Sequence, residues 1–286
     1  CVGFCDLAVS EKWDDHAMTS AASGSHPLAE AIDRELRARG SCVRASKDRA
    51  YLKSELVHYG VGVPATRTVV RKALDSANLN HDGIIELAEV LWNRGSDGGA
   101  PGDPDVARDR APVYELRSAA TMVLIQAKDH LGAGDSDLFE RLLRQACTWA
   151  LVDPLAGDAV GPLSEHDDGF DPVLERWAID DDFWIRRSAL LAHLRPLREG
   201  RGDFVRFARF ADAMLEEKEF FIRKAIGWVL RDTARKRPDL VFDWMLPRAD
   251  RASGVTMREA VKHLSPEQRN ELLAAKETSR TRAESD

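Results

Sequence analysis

The segment EFFIRKAIGWVLRDTARKRPDLVFDWM, residues 219–245, shows the pattern that decides the fold class. Its apolar residues recur at intervals of three and four, the spacing of one buried helical stripe. Pro238 follows the basic run, at a position where a first-turn proline starts a new helix. The segment therefore predicts two consecutive helices. Capping-box spacing predicts two further helix starts, at Thr256 with Glu259 and at Ser265 with Gln268.

The same periodicity covers most of the chain. In PLAEAIDRELRARG, for example, Leu28, Ala31, Ile32 and Leu36 form one stripe, and no segment alternates convincingly enough to be a strand. About a dozen helices joined by short polar turns favour stacked antiparallel helix pairs. The sequence therefore predicts an all-α, HEAT-like helical-repeat superhelix, although no strict sequence period is visible.

Composition shifts divide the chain. We expect residues 1–25 to be a disordered N-terminal extension, residues 26–275 to form the helical-repeat domain and residues 276–286 to be a charged tail that frays. A stretch rich in Gly, Pro and Asp at 95–112 predicts an exposed loop. A weaker loop is predicted at 156–171, where the spacing could also hide a short helix.

The overall composition argues against several classes of protein. The chain of 286 residues carries 41 basic and 48 acidic residues, a net charge of −7, which argues against a uniformly basic nucleic-acid-binding protein. Its four cysteines are irregularly spaced, which favours a reducing cytoplasm over a disulfide framework or a zinc ribbon. No apolar run reaches the roughly 20 residues of a membrane helix, so we expect no membrane association. Phosphate-binding, dinucleotide-binding and zinc-hydrolase motifs are absent from the sequence.

Positive charge is concentrated between Arg186 and Arg237, where fourteen basic residues stand against seven acidic ones. Clustered on one face, such charges could follow a phosphate backbone and release its counterions. The alternative interpretation is ordinary solvated helix faces, and charge alone favours that alternative.

Seven tryptophans are many for this length. An aromatic ring beside a carboxylate can hold a cationic group, although core packing is the commoner role of a single tryptophan. Three tryptophans stand close to charges: Trp149 four residues before Asp153, Trp184 just before Arg186, and Trp228 three residues before Arg231.

Residues 78–89, NLNHDGIIELAE, have part of an EF-hand pattern. The first position is Asn instead of Asp, and no partner hand is evident, so a helix–turn–helix with Asp82 and Gly83 as breakers is the favoured interpretation. We therefore predict no metal site.

The segment 219–245 resembles a signature of the AlkD-like DNA alkylation repair family, the HEAT-like-repeat DNA glycosylases. The resemblance covers roughly residues 27–270. Further matches follow in the family's order: YLKSELVHYGVGVPATRTVVRKAL (51–74), TWALVD (148–153), WAIDDDFWIRRSALLAHL (177–194) and MREAVKHL (257–264).

The resemblance implies a monofunctional, cofactor-free glycosylase that removes cationic N3- and N7-alkylated purines from double-stranded DNA. It implies a monomer whose superhelix has a concave DNA-binding face, acting in the cytoplasm on the nucleoid. The family's catalytic Asp falls on Asp153, its cleft tryptophans on Trp149 and Trp228, and its important arginine on Arg187. We expect further DNA contacts at Arg186, Arg231, Arg223, Lys224, Tyr51 and Lys53.

These residue types suit that chemistry. A carboxylate near the sugar stabilises oxocarbenium character and orients water. Trp149 and Trp228 would flank the lesion nucleotide, and Arg187 would hold a phosphate. The alternative is a non-catalytic HEAT-like module that binds DNA structures or another protein, and the intact set of Trp149, Asp153, Arg187 and Trp228 favours the enzyme.

Overall fold

Helices make up most of the computed structural model, which describes residues 24–95 and 111–283, the last five of them as backbone only. Within these residues there is no β-strand, only the isolated bridges of Val57 with Val113 and of Gly95 with Pro112. The predicted all-α helical-repeat class is confirmed. The predicted extension lies almost entirely outside the described residues, as does most of the predicted loop at 95–112.

The described chain forms two compact units, the first made of residues 24–47, 56–95 and 111–123. In it, the buried carboxylate of Glu115 accepts the backbone N–H groups of Tyr59, Gly60 and Val61 at 2.7–3.1 Å and anchors that loop. Gly60 adopts a φ of 80°, which favours glycine. The helices that begin in this unit are α1 (Ser25–Ala38), α2 (Cys42–Leu52), α3 (Val63–Asp75), α4 (His81–Asn93) and α5 (Tyr114–Gln126).

The second unit comprises residues 48–55 and 124–283 and contains every residue of the predicted catalytic set. Its helices are α6 (Ser136–Ala146), α7 (Trp149–Pro154), α8 (Gly161–His166), α9 (Asp171–Ala178), α10 (Phe183–Leu191), α11 (Leu194–Arg198), α12 (Phe204–Ala213), α13 (Phe220–Ala234), α14 (Pro238–Met245), α15 (Gly254–Ala260) and α16 (Pro266–Ala283). In the core of this unit, α13 packs against α10, α11 and α15.

A recurring ion-pair spacing links successive helix pairs of this unit. The partners lie 34–36 residues apart along the chain, so each joins equivalent places in neighbouring repeats. A contact period therefore exists in the second unit where the sequence shows none. The pairs include Arg144–Asp180, Arg176–Glu140, Arg201–Glu165, Arg209–Glu175, Arg248–Asp212 and Arg251–Glu216.

At 156–171 the weaker prediction of a loop is wrong, and the alternative of a hidden short helix is confirmed. A π-helical segment, Leu155–Val160, continues directly into α8, and a short 3₁₀ turn, Asp168–Phe170, leads to α9. Gly161 is a packing residue here: a Cβ at this position would lie 2.7 Å from the carbonyl oxygen of Ala192. The small residues that suggest a loop instead allow neighbouring segments to approach closely.

Two of the three predicted helix starts are confirmed. Pro238 stands in the first turn of α14, and Ser265 and Gln268 exchange the two hydrogen bonds of a capping box before α16. The third is wrong, because the hydroxyl of Ser253 accepts the N–H of Thr256 and so caps α15 three residues earlier.

The stretch from Lys276 is helical as far as Ala283, the end of α16, and the charged tail expected at 276–286 stays a prediction. Lys276 Nζ donates a hydrogen bond of 2.5 Å to the carbonyl oxygen of Ala252, which fixes the middle of the helix to the preceding segment. The predicted limits of a single domain at 26–275 stay a prediction.

Candidate active site

Trp149 and Asp153 lie on α7, one helical turn apart. Cys147 ends α6 in the left-handed region with a φ of 51°, and Thr148 then caps α7 by accepting the N–H of Ala150. This abrupt turn makes Trp149 the first residue of α7. The i, i+4 spacing directs the indole and the carboxylate to the same helical face.

Tyr51 stands beside this tryptophan. The two ring centroids are 5.9 Å apart with an interplanar angle of 87°, an edge-to-face contact. Tyr51 is 74% exposed and Trp149 is half-buried, so the pair forms an aromatic surface open to solvent. Tyr51 therefore lies next to the predicted catalytic set, whereas exposed Lys53 is two residues further on with a φ of 49°.

Arg187 holds the carboxylate of Asp153. Its Nε and one Nη each donate a 2.8 Å hydrogen bond to a different carboxylate oxygen, a bidentate pair. The other Nη donates to the carbonyl oxygen of Phe221 at 2.5 Å, and the guanidinium lies 5.7 Å from the ring of Phe221. Arg187 thus joins the end of α7 to the first turn of α13.

This arrangement corrects the predicted phosphate contact of Arg187. Its side chain is only 3% exposed, and its donors face Asp153 and a backbone carbonyl. A phosphate oxygen has no open approach to this guanidinium in the structure. Arg187 instead fixes the orientation of the carboxylate.

The environment of Asp153 acts on its pKa in two opposing ways. Burial raises the pKa of the carboxyl group above its ordinary value, and the hydrogen bonds and positive charge of Arg187 partly offset that rise. A buried carboxylate with a raised pKa, fixed by a specific partner, is typical of functional sites.

Trp228 is positioned by Asp232, a residue that the sequence reasoning missed. The indole Nε1–H donates to Asp232 Oδ2 at 3.2 Å, and Asp232 is 4% exposed. Arg198 binds the same carboxylate from α11, 34 residues away. A signal was available in the sequence, since Trp228 and Asp232 repeat the Trp-x-x-x-Asp spacing of Trp149 and Asp153.

The other predicted DNA-binding residues are largely engaged within the protein. Arg186 forms a bidentate pair with Glu217 and also donates to the carbonyl oxygen of Asp180. Arg223 donates to the backbone oxygen of Glu217. The remaining two, Lys224 and Arg231, both bind Glu259.

The basic surplus between Arg186 and Arg237 is therefore smaller in the structure than along the sequence. At least ten of the fourteen basic residues form ion pairs. Several acidic partners lie outside the segment, one repeat away. The alternative interpretation, charged helix faces, describes most of this segment.

Trp184 belongs to an aromatic cluster instead of a cation site. Its ring centroid lies 4.6 Å from that of Phe183 and 4.8 Å from that of Phe221. The cluster packs beside Arg187 through Phe221 and supports the first turn of α13. Packing within this half-buried aromatic cluster is thus the role of this tryptophan.

The candidate calcium loop is helical. Asn80 caps α4 by accepting the N–H of Gly83 at 3.0 Å, and the residues from His81 onward belong to the helix. An EF-hand needs these positions in a loop that wraps a cation. In the part of the chain that the structure describes, no group of three potential ligands is placed to hold a metal ion, and no helix is long and apolar enough to cross a membrane.

Comparisons with known proteins cover most of the chain. A family model described as DNA alkylation repair enzyme matches residues 32–97 and 110–264. A solved structure described as a predicted DNA alkylation repair enzyme from Enterococcus faecalis is similar, with a TM-score of 0.64 and 21% identity over 80% of this chain and 98% of that chain. That likeness shows the fold alone, and no curated protein matches. Because the family model matches well over half of the chain, the protein belongs to the DNA alkylation repair enzyme family.

Proposed function

We propose that this protein is a monofunctional DNA glycosylase that hydrolyses the N-glycosidic bond of cationic N3- and N7-alkylated purines in duplex DNA. The observation that carries the proposal is the buried carboxylate of Asp153, held bidentately by Arg187 and one helical turn from Trp149. Family membership supports a role in alkylation repair.

Cleavage of this N-glycosidic bond requires little help from a general acid. When the bond between the sugar C1′ and the purine nitrogen breaks, both electrons go to the cationic base, which departs neutral. The sugar then carries oxocarbenium character, which the negative charge of Asp153 stabilises. A water oriented by the same carboxylate attacks C1′ and releases its proton to bulk solvent.

Arg187 is a positioning residue in this scheme. It fixes both oxygens of Asp153 and keeps the carboxyl group more acidic than burial alone would leave it. The negative charge needed at the sugar is thus available before the substrate arrives, which lowers the reorganisation cost of the reaction.

Trp149 and Trp228 supply the preference for a cation. Both indoles are half-buried. At Trp149 the ring quadrupole and the carboxylate of Asp153 together attract a positive lesion, whereas Trp228 contributes its ring quadrupole, because three arginines surround the carboxylate of Asp232. We propose that cationic lesions are therefore excised in preference to neutral ones, by a monomer that uses no cofactor.

The experiment is a single-turnover excision assay on a duplex with one N7-methylguanine. We expect base release by the unmodified protein and at least about tenfold slower release by Asp153→Asn, because the carboxylate acts mainly on the transition state. DNA binding by the variant should be retained.

The chain offers a matched control in Glu165→Gln. Glu165 is also bound bidentately by an arginine, Arg201, and its side chain is 14% exposed against 12% for Asp153. Excision should be unchanged in this variant. Equal rates for Asp153→Asn and unmodified protein would contradict the role of Asp153, and no release from either would favour a non-catalytic DNA-binding module.

A further inference from the structure

Five basic side chains share only two carboxylates, one of which accepts the indole N–H of Trp228. They come from three consecutive repeats, at the end of α11, along α13 and in the turn after α15. Asp232 and Glu259 are the carboxylates that they share. We call this group the Trp228 cation cluster: Arg198, Lys224, Arg231, Arg235 and Lys262.

The two signs of charge lie at different depths. The side chains of Asp232 and Glu259 are 4% and 8% exposed, whereas those of the five cations are 23–53% exposed. The two carboxylates therefore lie deeper in the protein than the five cations and bind them from the interior side. The surface that reaches solvent is positive.

The charge count is also unlike that of the rest of the unit. Five cations against two carboxylates leave a surplus of three positive charges. Elsewhere in the described part of the unit, interrepeat arginines either pair one to one, as Arg209 does with Glu175, or share a carboxylate and bind a second, as Arg248 and Arg251 do with Asp212 and Glu216. Around Trp228 the cations thus outnumber the carboxylates that bind them.

The positive charges of the cluster also affect the pKa of the neighbouring His263. Burial lowers the pKa of its imidazole, and the positive charges of Arg235 and Arg231 lower it further. The indole of Trp228 lies inside the same field, bound to Asp232 and 6.0 Å from the guanidinium of Arg231.

We propose that the Trp228 cation cluster binds phosphate groups of the DNA strand that lies against Trp228. This inference rests on the proposed function and adds Arg198, Arg235 and Lys262 to the DNA contacts expected from the sequence. Exposed guanidinium and ammonium groups, preassembled on buried carboxylates, match closely spaced phosphates in charge, and phosphate contacts set the register of the strand.

The test measures the affinity for an undamaged duplex as a function of salt concentration, for Arg235→Gln and Lys262→Gln. A protein that neutralises a phosphate releases counterions, and each contact contributes about 0.9 to the slope of log affinity against log salt. We expect each single variant to reduce the magnitude of the slope by about 0.9, the contribution of one contact, and the double variant to reduce it by about twice as much. Arg235→Lys, which retains the charge, should keep the original slope.

Arg209→Gln is the matched control. Arg209 is 59% exposed against 53% for Arg235, and it pairs with Glu175 on a different part of the unit. Its slope should equal that of the unmodified protein. Unchanged slopes in Arg235→Gln and Lys262→Gln, or an equal change in Arg209→Gln, would overturn the proposal.

The outcome is separable from that of the proposed function because the assay uses undamaged DNA and needs no catalysis. Flattened slopes without any excision would support the cluster and contradict the glycosylase. Excision with unaffected slopes would support the glycosylase and contradict the role of the cluster. Melting temperatures of the variants show that each slope is measured on folded protein.

Discussion

At the residue scale, the pairing of Arg187 with Asp153 changes the functional role expected of each residue. The arginine is buried and directs its donors to the carboxylate and to the carbonyl oxygen of Phe221. It does not reach outward for a phosphate. Removing its charge should therefore act on catalysis through the ionisation of Asp153.

The pH profile of excision tests this coupling. Burial raises the pKa of Asp153 above 3.8 and Arg187 opposes that rise, so the active carboxylate forms only as the pH climbs through the raised pKa. In Arg187→Gln the opposing charge is lost, and the acid limb of the profile should move to higher pH by about one to three units.

The control for the pH profile is Arg201→Gln, which breaks the similar pair with Glu165. Its acid limb should stay in place. An acid limb that does not move in Arg187→Gln, or one that moves to lower pH, would show that Arg187 does not set the ionisation of Asp153.

At the element scale, close contacts at glycine decide how segments stack. Gly161 begins α8, and a Cβ there would meet the backbone oxygen of Ala192 at 2.7 Å, which a side-chain rotation cannot relieve. We expect Gly161→Ala to lower the free energy of unfolding by about 1–3 kcal/mol, the usual effect of overpacking.

Gly134 offers the comparison for this substitution, because a Cβ there would have nothing within 4 Å. Gly134→Ala should be close to neutral in the same denaturant titration. Equal stability of the two variants would mean that the helices around Gly161 can separate without penalty.

At the scale of the whole molecule, many carboxylates of the second unit are held by arginines and lysines of neighbouring repeats. Burial opposes the ionisation of Glu140, yet hydrogen bonds from Arg176 and Arg144 lower its pKa from 4.5 to about 2. Glu259 behaves in the same way with Lys224 and Lys262. A carboxyl group whose pKa is lower in the folded state stabilises the fold above its unfolded pKa and loses that contribution as the pH falls.

We therefore expect the free energy of unfolding to fall steeply between about pH 4.5 and about pH 2, with proton uptake on unfolding. Denaturant titrations across this range measure it. A double variant, Glu140→Gln with Glu259→Gln, should be less stable near neutral pH and show a weaker acid dependence. A stability that is flat across the same range would contradict this account.

The helical class and the first turn of α14 follow from local sequence, because helical periodicity and first-turn proline depend on residues a few positions apart. The resemblance of 219–245, 148–153 and 177–194 to a known family likewise indicated Trp149, Asp153, Arg187 and Trp228. Each of these four residues lies in a short segment whose sequence pattern is recognisable without knowledge of its tertiary contacts.

Only the tertiary structure decided which charges meet. Asp153 and Arg187 are 34 residues apart, as are Asp232 and Arg198, and their pairing depends on the register in which the helix pairs stack. The same register hides Arg187 from solvent. It also neutralises much of a basic segment and leaves a surplus of positive charge around Trp228, since a side chain's partner one repeat away is set by packing and not by its sequence neighbours.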